Sequence, residues 1–406
     1  MTQTRGTRSF GFVETYRDVL STPVDRRLAV VSLLSKIPYS MFPVSAVLLL
    51  SPRYSYGAAG SAAGVMLVAT AVTSPLRGRL VTGRSGRVVL LLCLLGYLLG
   101  VAGLVVGASQ RLPFAVVLLA ACAAGLFVPP AGILLRSHWT ATDRLRGRPS
   151  GNAMESALMD ATLITGPVLA TWLSVSARPE VPFIAIGVLT AVAVLLLAAP
   201  GGGSAPTSTP PSSAPRWASR SLFAAFGALF LFAAALSAIE IALPIHAQQQ
   251  GVTGYSGWFL ACMSIGSIVG ALALGASSTL VSVKLPALLA CFAAGACVLG
   301  LAMLVSPIAV LAACPLAGLA IGTTFARFYG ALGELTPTGA DGVVQGWATS
   351  VTMVGFAVGS AAGAALAGAH GAPAFLFLSP VAGAAATVLV LAARARPTGT
   401  HPEGQR

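Results

Sequence analysis

Charge is scarce in this chain. Only 9% of its 406 residues are Asp, Glu, Lys or Arg, 24 of them basic and 11 acidic. So little polar side chain cannot coat a soluble globule of this length, which excludes an ordinary water-soluble domain. Lysine occurs only at Lys36 and Lys284. Histidine is limited to four dispersed positions, His138, His246, His370 and His401, and the six cysteines contain no Cys-x-x-Cys. Metal, haem and disulfide frameworks therefore lack a residue set, and no cofactor or metal is expected. A membrane-embedded enzyme would need acid, base or ligand residues clustered at catalytic spacing; none are, so the chain is not read as an enzyme.

What is present is apolar length. Hydrophobic residues make up 56% of the chain and the mean hydropathy is +0.86. Twelve stretches are each near the ~20 residues that a helix needs to cross a bilayer. The first six cover 28–50, 57–76, 88–109, 113–135, 152–175 and 181–199; the second six cover 221–243, 255–276, 285–305, 308–328, 343–368 and 374–393. The first stretch is about 23 residues long and follows a charged segment, whereas a cleavable signal core is ~7 to 15 residues, so no signal peptide is expected.

The net charge of +13 would suggest nucleic acid as a partner in a soluble chain. Here its position explains it. With a cytoplasmic N-terminus, 20 of the 24 basic residues fall on the inward side and only Arg53, Arg111 and Arg178 fall outside, with Lys36 left within the first span. The positive-inside rule then places both termini in the cytoplasm of a multi-pass inner (cytoplasmic) membrane protein, with no nucleic-acid partner.

Between the sixth and seventh spans, residues 200–219 are rich in Gly, Ser, Pro and Thr, a composition that forms a tether rather than a core. The expected organisation is a cytoplasmic N-terminal segment (1–27), a six-helix half (28–199), a cytoplasmic linker (200–219), a second six-helix half (220–393) and a cytoplasmic tail (394–406). A faint repeat supports two related halves: Gly60 and Gly78 bracket the second span as Gly257 and Gly275 bracket the eighth, offset by 197 residues in both cases. Two such halves joined by a polar linker fit a transporter that rocks one half against the other. Small-residue ladders at Gly60 and Gly64, Gly266 and Gly270, and Gly355, Gly359 and Gly363 are assigned to helix packing.

The loop 78–87, GRLVTGRSGR, resembles the signature G-x-L-a-D-r-x-G-r of the major facilitator superfamily. Gly78, Leu80, Arg84, Gly86 and Arg87 match with one residue inserted, while Thr82-Gly83 stands where the family carries its acid. Gly166-Pro167 in the fifth span resembles the core of the Gly-Pro motif of the proton-driven drug antiporters of that superfamily; the mid-membrane arginine that many of these carry in the fourth span is absent. The resemblance implies an all-α membrane fold of twelve helices in two six-helix halves, transport by alternating access, and a loop whose basic groups latch one half against the other. Arg77, Arg79, Arg84 and Arg87 could do so by lying against helix C-termini, or could only enforce topology.

Four ionisable residues fall inside spans: Lys36, Glu155, Asp160 and Glu240. An ion in a membrane helix normally faces a cavity or a counter-charge. Counted at 1.5 Å per residue, Lys36 and Asp160 lie at matching depths of roughly 12 and 13 Å, which predicts a pair between the first and fifth spans. Asp160, shielded from bulk water with a cation at its level, is the first candidate for a coupling proton. Glu155 is placed to pair with Arg136 or Arg144. Glu155 and Asp160 are about 140° apart on a helix, so only one is expected to line a pathway. Pro38, Pro43 and Pro129-Pro130 are expected to break the helical ladder beside these charges.

The expected function is secondary active transport of a small organic solute, with protons as the coupling partner, the lipid bilayer as solvent and a monomer as the working unit. Few Asn or Gln are available to bind hydroxyls while Phe, Met and Trp are, favouring an amphipathic or drug-like solute and efflux. The alternative is a proton-coupled uptake carrier for a sugar or other nutrient.

Overall fold

The computed structural model describes residues 12–54, 56–81, 86–146, 150–199, 219–252, 255–277, 280, 282–337, 340–371, 373 and 375–395. A short helix α1 (Phe12–Val19) precedes α2 (Pro23–Leu50), α3 (Tyr56–Val81), α4 (Gly86–Ser109), α5 (Phe114–Leu126), α6 (Ala131–Arg146), α7 (Ser150–Ser176) and α8 (Val181–Ala198). The second half comprises α9 (Arg220–Gln249), α10 (Tyr255–Ala276), α11 (Leu285–Val305), α12 (Pro307–Leu335), α13 (Asp341–His370) and α14 (Phe375–Ala395). With α5 and α6 taken as one interrupted span, ten described segments are long and apolar enough to cross a membrane; α13 and α14 take the places of the eleventh and twelfth spans. The linker 200–218 and both chain ends lie outside the described residues.

Local chemistry sets the helix boundaries. Thr22 caps α2 by accepting from the Asp25 amide at 3.0 Å, with Pro23 in the first turn, where its missing N–H costs nothing. Ser306 and Pro307 start α12 in the same way. Asp143 accepts from the Gly151 and Asn152 amides at 2.7 and 2.9 Å and so caps α7 with negative charge. The expected break at Pro129-Pro130 is present and separates α5 from α6. Pro38 and Pro43 each remove one bond of the ladder without ending the helix, and α2 runs through both.

Outer surfaces stay apolar and exposed, as at Leu119 (70%), Val175 (79%) and Val305 (77%), the pattern of a protein solvated by lipid. Within the second half, Gly266 and Gly270 lie against the Pro315 and Leu319 carbonyls, and Gly355 and Gly359 against those of Phe230 and Ala234. These ladders let helix backbones touch. Gly60 and Gly64 do not belong with them, since a Cβ at either would meet nothing within 4 Å.

That exception marks how the halves sit. At the face where the linker joins α8 to α9, the halves are in tight contact. A Cβ on Gly78 of α3 would lie 2.2 Å from the Gly342 carbonyl of α13, and one on Gly275 of α10 would lie 2.6 Å from Ala153 of α7. Ala153 and Ala157 share a buried cluster with Ala271, Leu274 and Ala326 across this seam. Toward the opposite face, Gly60 and Gly64 of α3 and Gly257 of α10 border open space. The close contacts described between the halves therefore gather at the linker face.

Candidate functional site

Between the halves lies a cavity of about 410 Å³, walled by α2, α3, α6 and α7 on one side and α9, α10, α12 and α13 on the other. All four intraspan ions border it, as do the aromatic rings of Tyr39, Phe325, Tyr329 and Phe356 and the thioethers of Met159, Met263 and Met353.

Lys36 does not pair with Asp160. Its ammonium donates to Glu155 in a buried ion pair and to Ser32 Oγ at 2.6 Å, while the Ser32 hydroxyl donates to Glu155 Oε2 at 2.5 Å. Every partner in this triad is satisfied by another, the condition under which a buried charge is tolerated. The depth count failed because helical side chains lean toward the N-terminus of their own helix. The long lysine side chain of α2 thus reaches back toward the linker face, to the level of Glu155.

Asp160 instead crosses to the other half, where Oδ2 accepts from Ser267 Oγ of α10 at 2.5 Å. Glu240 of α9 borders the same cavity. Among the described residues neither forms an ion pair. Glu155 and Asp160 both reach the cavity, contrary to the expectation that only one would, because the space wraps around α7 rather than lying along one stripe of it.

Arg136 falls just past the expected span 113–135, but α6 continues to Arg146, so Arg136 stands on the cavity wall. Its guanidinium lies 3.5 Å from the centre of the Tyr329 ring, a cation–π contact between the halves. Tyr39 of α2 likewise reaches Met353 of α13.

Arg77 and Arg87 show where two of the loop's basic groups reach. Arg77 donates to the Val128 carbonyl, exposed by the break between α5 and α6, and to Thr70 O at 2.8 Å. Arg87 donates to Ala198 O at the end of α8. Both thus lie against helix C-termini, but within their own half. Gly86 stands against the Val81 carbonyl, from which a Cβ there would be 2.1 Å away; Leu80 is exposed, and Arg84 lies outside the described residues. Of the four described, Gly78 is the one that meets the other half at the seam. In α7, Gly166 lets Ser40 of α2 approach, with the Ser40 hydroxyl donating to Thr162 O at 2.7 Å; Pro167 follows it inside the helix.

Ser32, Ser267 and Tyr329 were not singled out by sequence. Ser32 lies one helical turn before Lys36, a spacing that could have flagged it; the other two acquire meaning only from the packing of halves.

The sequence matches the Major Facilitator Superfamily over residues 28–353. No curated protein matches it in sequence. Among solved structures, the human organic anion transporter TETRAN is similar at a TM-score of 0.68 and 17% identity, covering 91% of this chain and 100% of that one. A bacterial homologue of the iron transporter ferroportin, in an outward-facing state, gives 0.68 at 14% identity over 91% and 99%. The Escherichia coli fucose:proton symporter gives 0.69 at 13% identity over 91% and 98%. At such identities these likenesses speak for the fold. With the family match spanning most of the chain, two six-helix halves around a central cavity, and the seam at one face, the chain belongs to the Major Facilitator Superfamily.

Proposed function

We propose that this chain is a secondary active transporter that moves a small amphipathic organic solute across the cytoplasmic membrane, outward and in exchange for protons. The observation that carries the reading is the cavity itself. It lies where the halves meet, is bordered by Asp160 and Glu240, which form no ion pair among the described residues, and carries aromatic rings and thioethers beside serine and threonine hydroxyls. Its rings and thioethers offer dispersion and cation–π contacts to an apolar body, and its carboxyls and hydroxyls orient a polar end. The arginine asymmetry makes the linker face cytoplasmic, with residues 28–199 and 220–393 as the moving halves and the cavity open outward. The Gly166-Pro167 resemblance favours the efflux branch. Asp160 is the proposed proton carrier, with Glu240 facing it; the Lys36–Glu155–Ser32 triad is the proposed rigid floor of the first half.

Transport by purified protein in proteoliposomes tests this. Asp160→Asn is expected to abolish pH-gradient-driven accumulation of an amphipathic organic substrate while retaining downhill exchange. Uphill transport that persists with an unchanged pH dependence removes Asp160 from the mechanism, and accumulation in the opposite direction identifies an uptake carrier.

A further inference from the structure

The bond between Ser267 and Asp160 joins the halves through an acceptor that can change its charge. Asp160 belongs to α7 and Ser267 to α10, the helices that also meet at Gly275 and Ala153 to close the linker face. Ser267 is 3% exposed, and its backbone is wedged against α12: a Cβ on Gly322 would stand 1.9 Å from the Ser267 carbonyl oxygen, and one on Gly318 would stand 2.9 Å from its nitrogen. The hydroxyl is therefore delivered to Asp160 by a backbone that has little room to shift.

We infer that Ser267 is a positioning residue that couples the charge of Asp160 to closure of the linker face. This rests on the reading of Asp160 as the proton carrier. A hydroxyl donating to a carboxylate makes a bond roughly twice as strong as one donating to a neutral carboxyl. Ionised Asp160 thus holds α10 against α7. A proton that reaches Asp160 through the open cavity weakens this tie and releases the face to open.

The charged groups bordering the same space are Lys36 on α2, Arg77 on α3, Arg136 on α6, Glu155 on α7 and Glu240 on α9. Lys36 and Glu155 are engaged with each other, Arg77 with backbone carbonyls, and Arg136 with Tyr329. Glu240 stands on the same cavity wall as Asp160 and forms no ion pair among the described residues. The sign follows: closure by this bond is present while Asp160 is ionised and is lost as pH falls.

Leu274 is fully buried in the seam and reports its opening. In protein whose six native cysteines are replaced, Leu274→Cys is labelled with a maleimide across a pH series, each rate normalised to the same cysteine in denatured protein at that pH. The parent is expected to label about fivefold faster at the acid end, the factor given by the difference in strength between a charge-assisted and a neutral hydrogen bond. Ser267→Ala is expected to label at the faster rate throughout, with a flat profile. Asp160→Asn should be equally flat, and the double variant no different from either single one. Ser267→Thr, which keeps the hydroxyl, should restore the slope. A parental slope in Ser267→Ala overturns the inference, as does a slope retained in Asp160→Asn. The labelling requires no solute, so flat variants together with persistent uphill transport in Asp160→Asn would sink the proton-carrier reading while leaving the coupling in place.

Discussion

The charges of Lys36 and Glu155 are buried together, and Ser32 bridges them without being able to neutralise either. Depth along a helix was legible in the sequence, but direction around it and lean along it were not, and those decided the partner. The triad makes a sharp energetic prediction. Lys36→Met alone leaves Glu155 buried beside a serine that cannot neutralise it, a loss of about 3–5 kcal/mol. The double variant Lys36→Met with Glu155→Leu removes both charges and should recover most of that loss. Thermal unfolding of the detergent-solubilised protein, compared in a double-mutant cycle, gives the coupling; additive losses would mean that the ion pair is not formed.

At the level of elements, the positions of the spans were readable because lipid demands about twenty apolar residues whatever the neighbours. Their true ends were harder to see, since polar caps extend a helix past its apolar stretch. α6 continues beyond the expected span to Arg146, and α7 begins at Ser150 rather than 152, held by Asp143 across the turn. That cap is testable. Asp143→Ala frees the Gly151 and Asn152 amides in a buried corner and should destabilise the protein by about 1–2 kcal/mol. Asp143→Ser, which can still accept one bond, should cost less; equal melting temperatures for Asp143→Ala and the parent would show that solvent replaces the cap. The two proline-containing spans behave differently for a local reason. Pro129-Pro130 removes two adjacent donors, whereas Pro38 and Pro43 each remove one within a helix supported on several sides.

For the whole molecule, composition and charge asymmetry were enough to foresee two six-helix halves, yet not which face was closed. That depends on contacts between residues more than 250 positions apart, such as Gly78 with Gly342. Gly78→Ala would push a methyl group into a backbone carbonyl and should prop the linker face open, raising labelling of Leu274→Cys several-fold. Gly60→Ala, at a position that borders open space, should leave labelling at the parental rate. If both substitutions behave alike, the seam does not set the conformational balance.

The seam has a bearing on how such a transporter could change its solute. Where the halves touch most closely, backbone meets backbone through glycine, so the moving parts depend little on which larger side chains surround them. The cavity is built the other way, from Phe325, Phe356, Met159 and Met353, which take no part in those glycine contacts. Recognition and motion are thus largely separable in this chain. The cavity wall can be recut for a different molecule while the hinge beneath it keeps its original action.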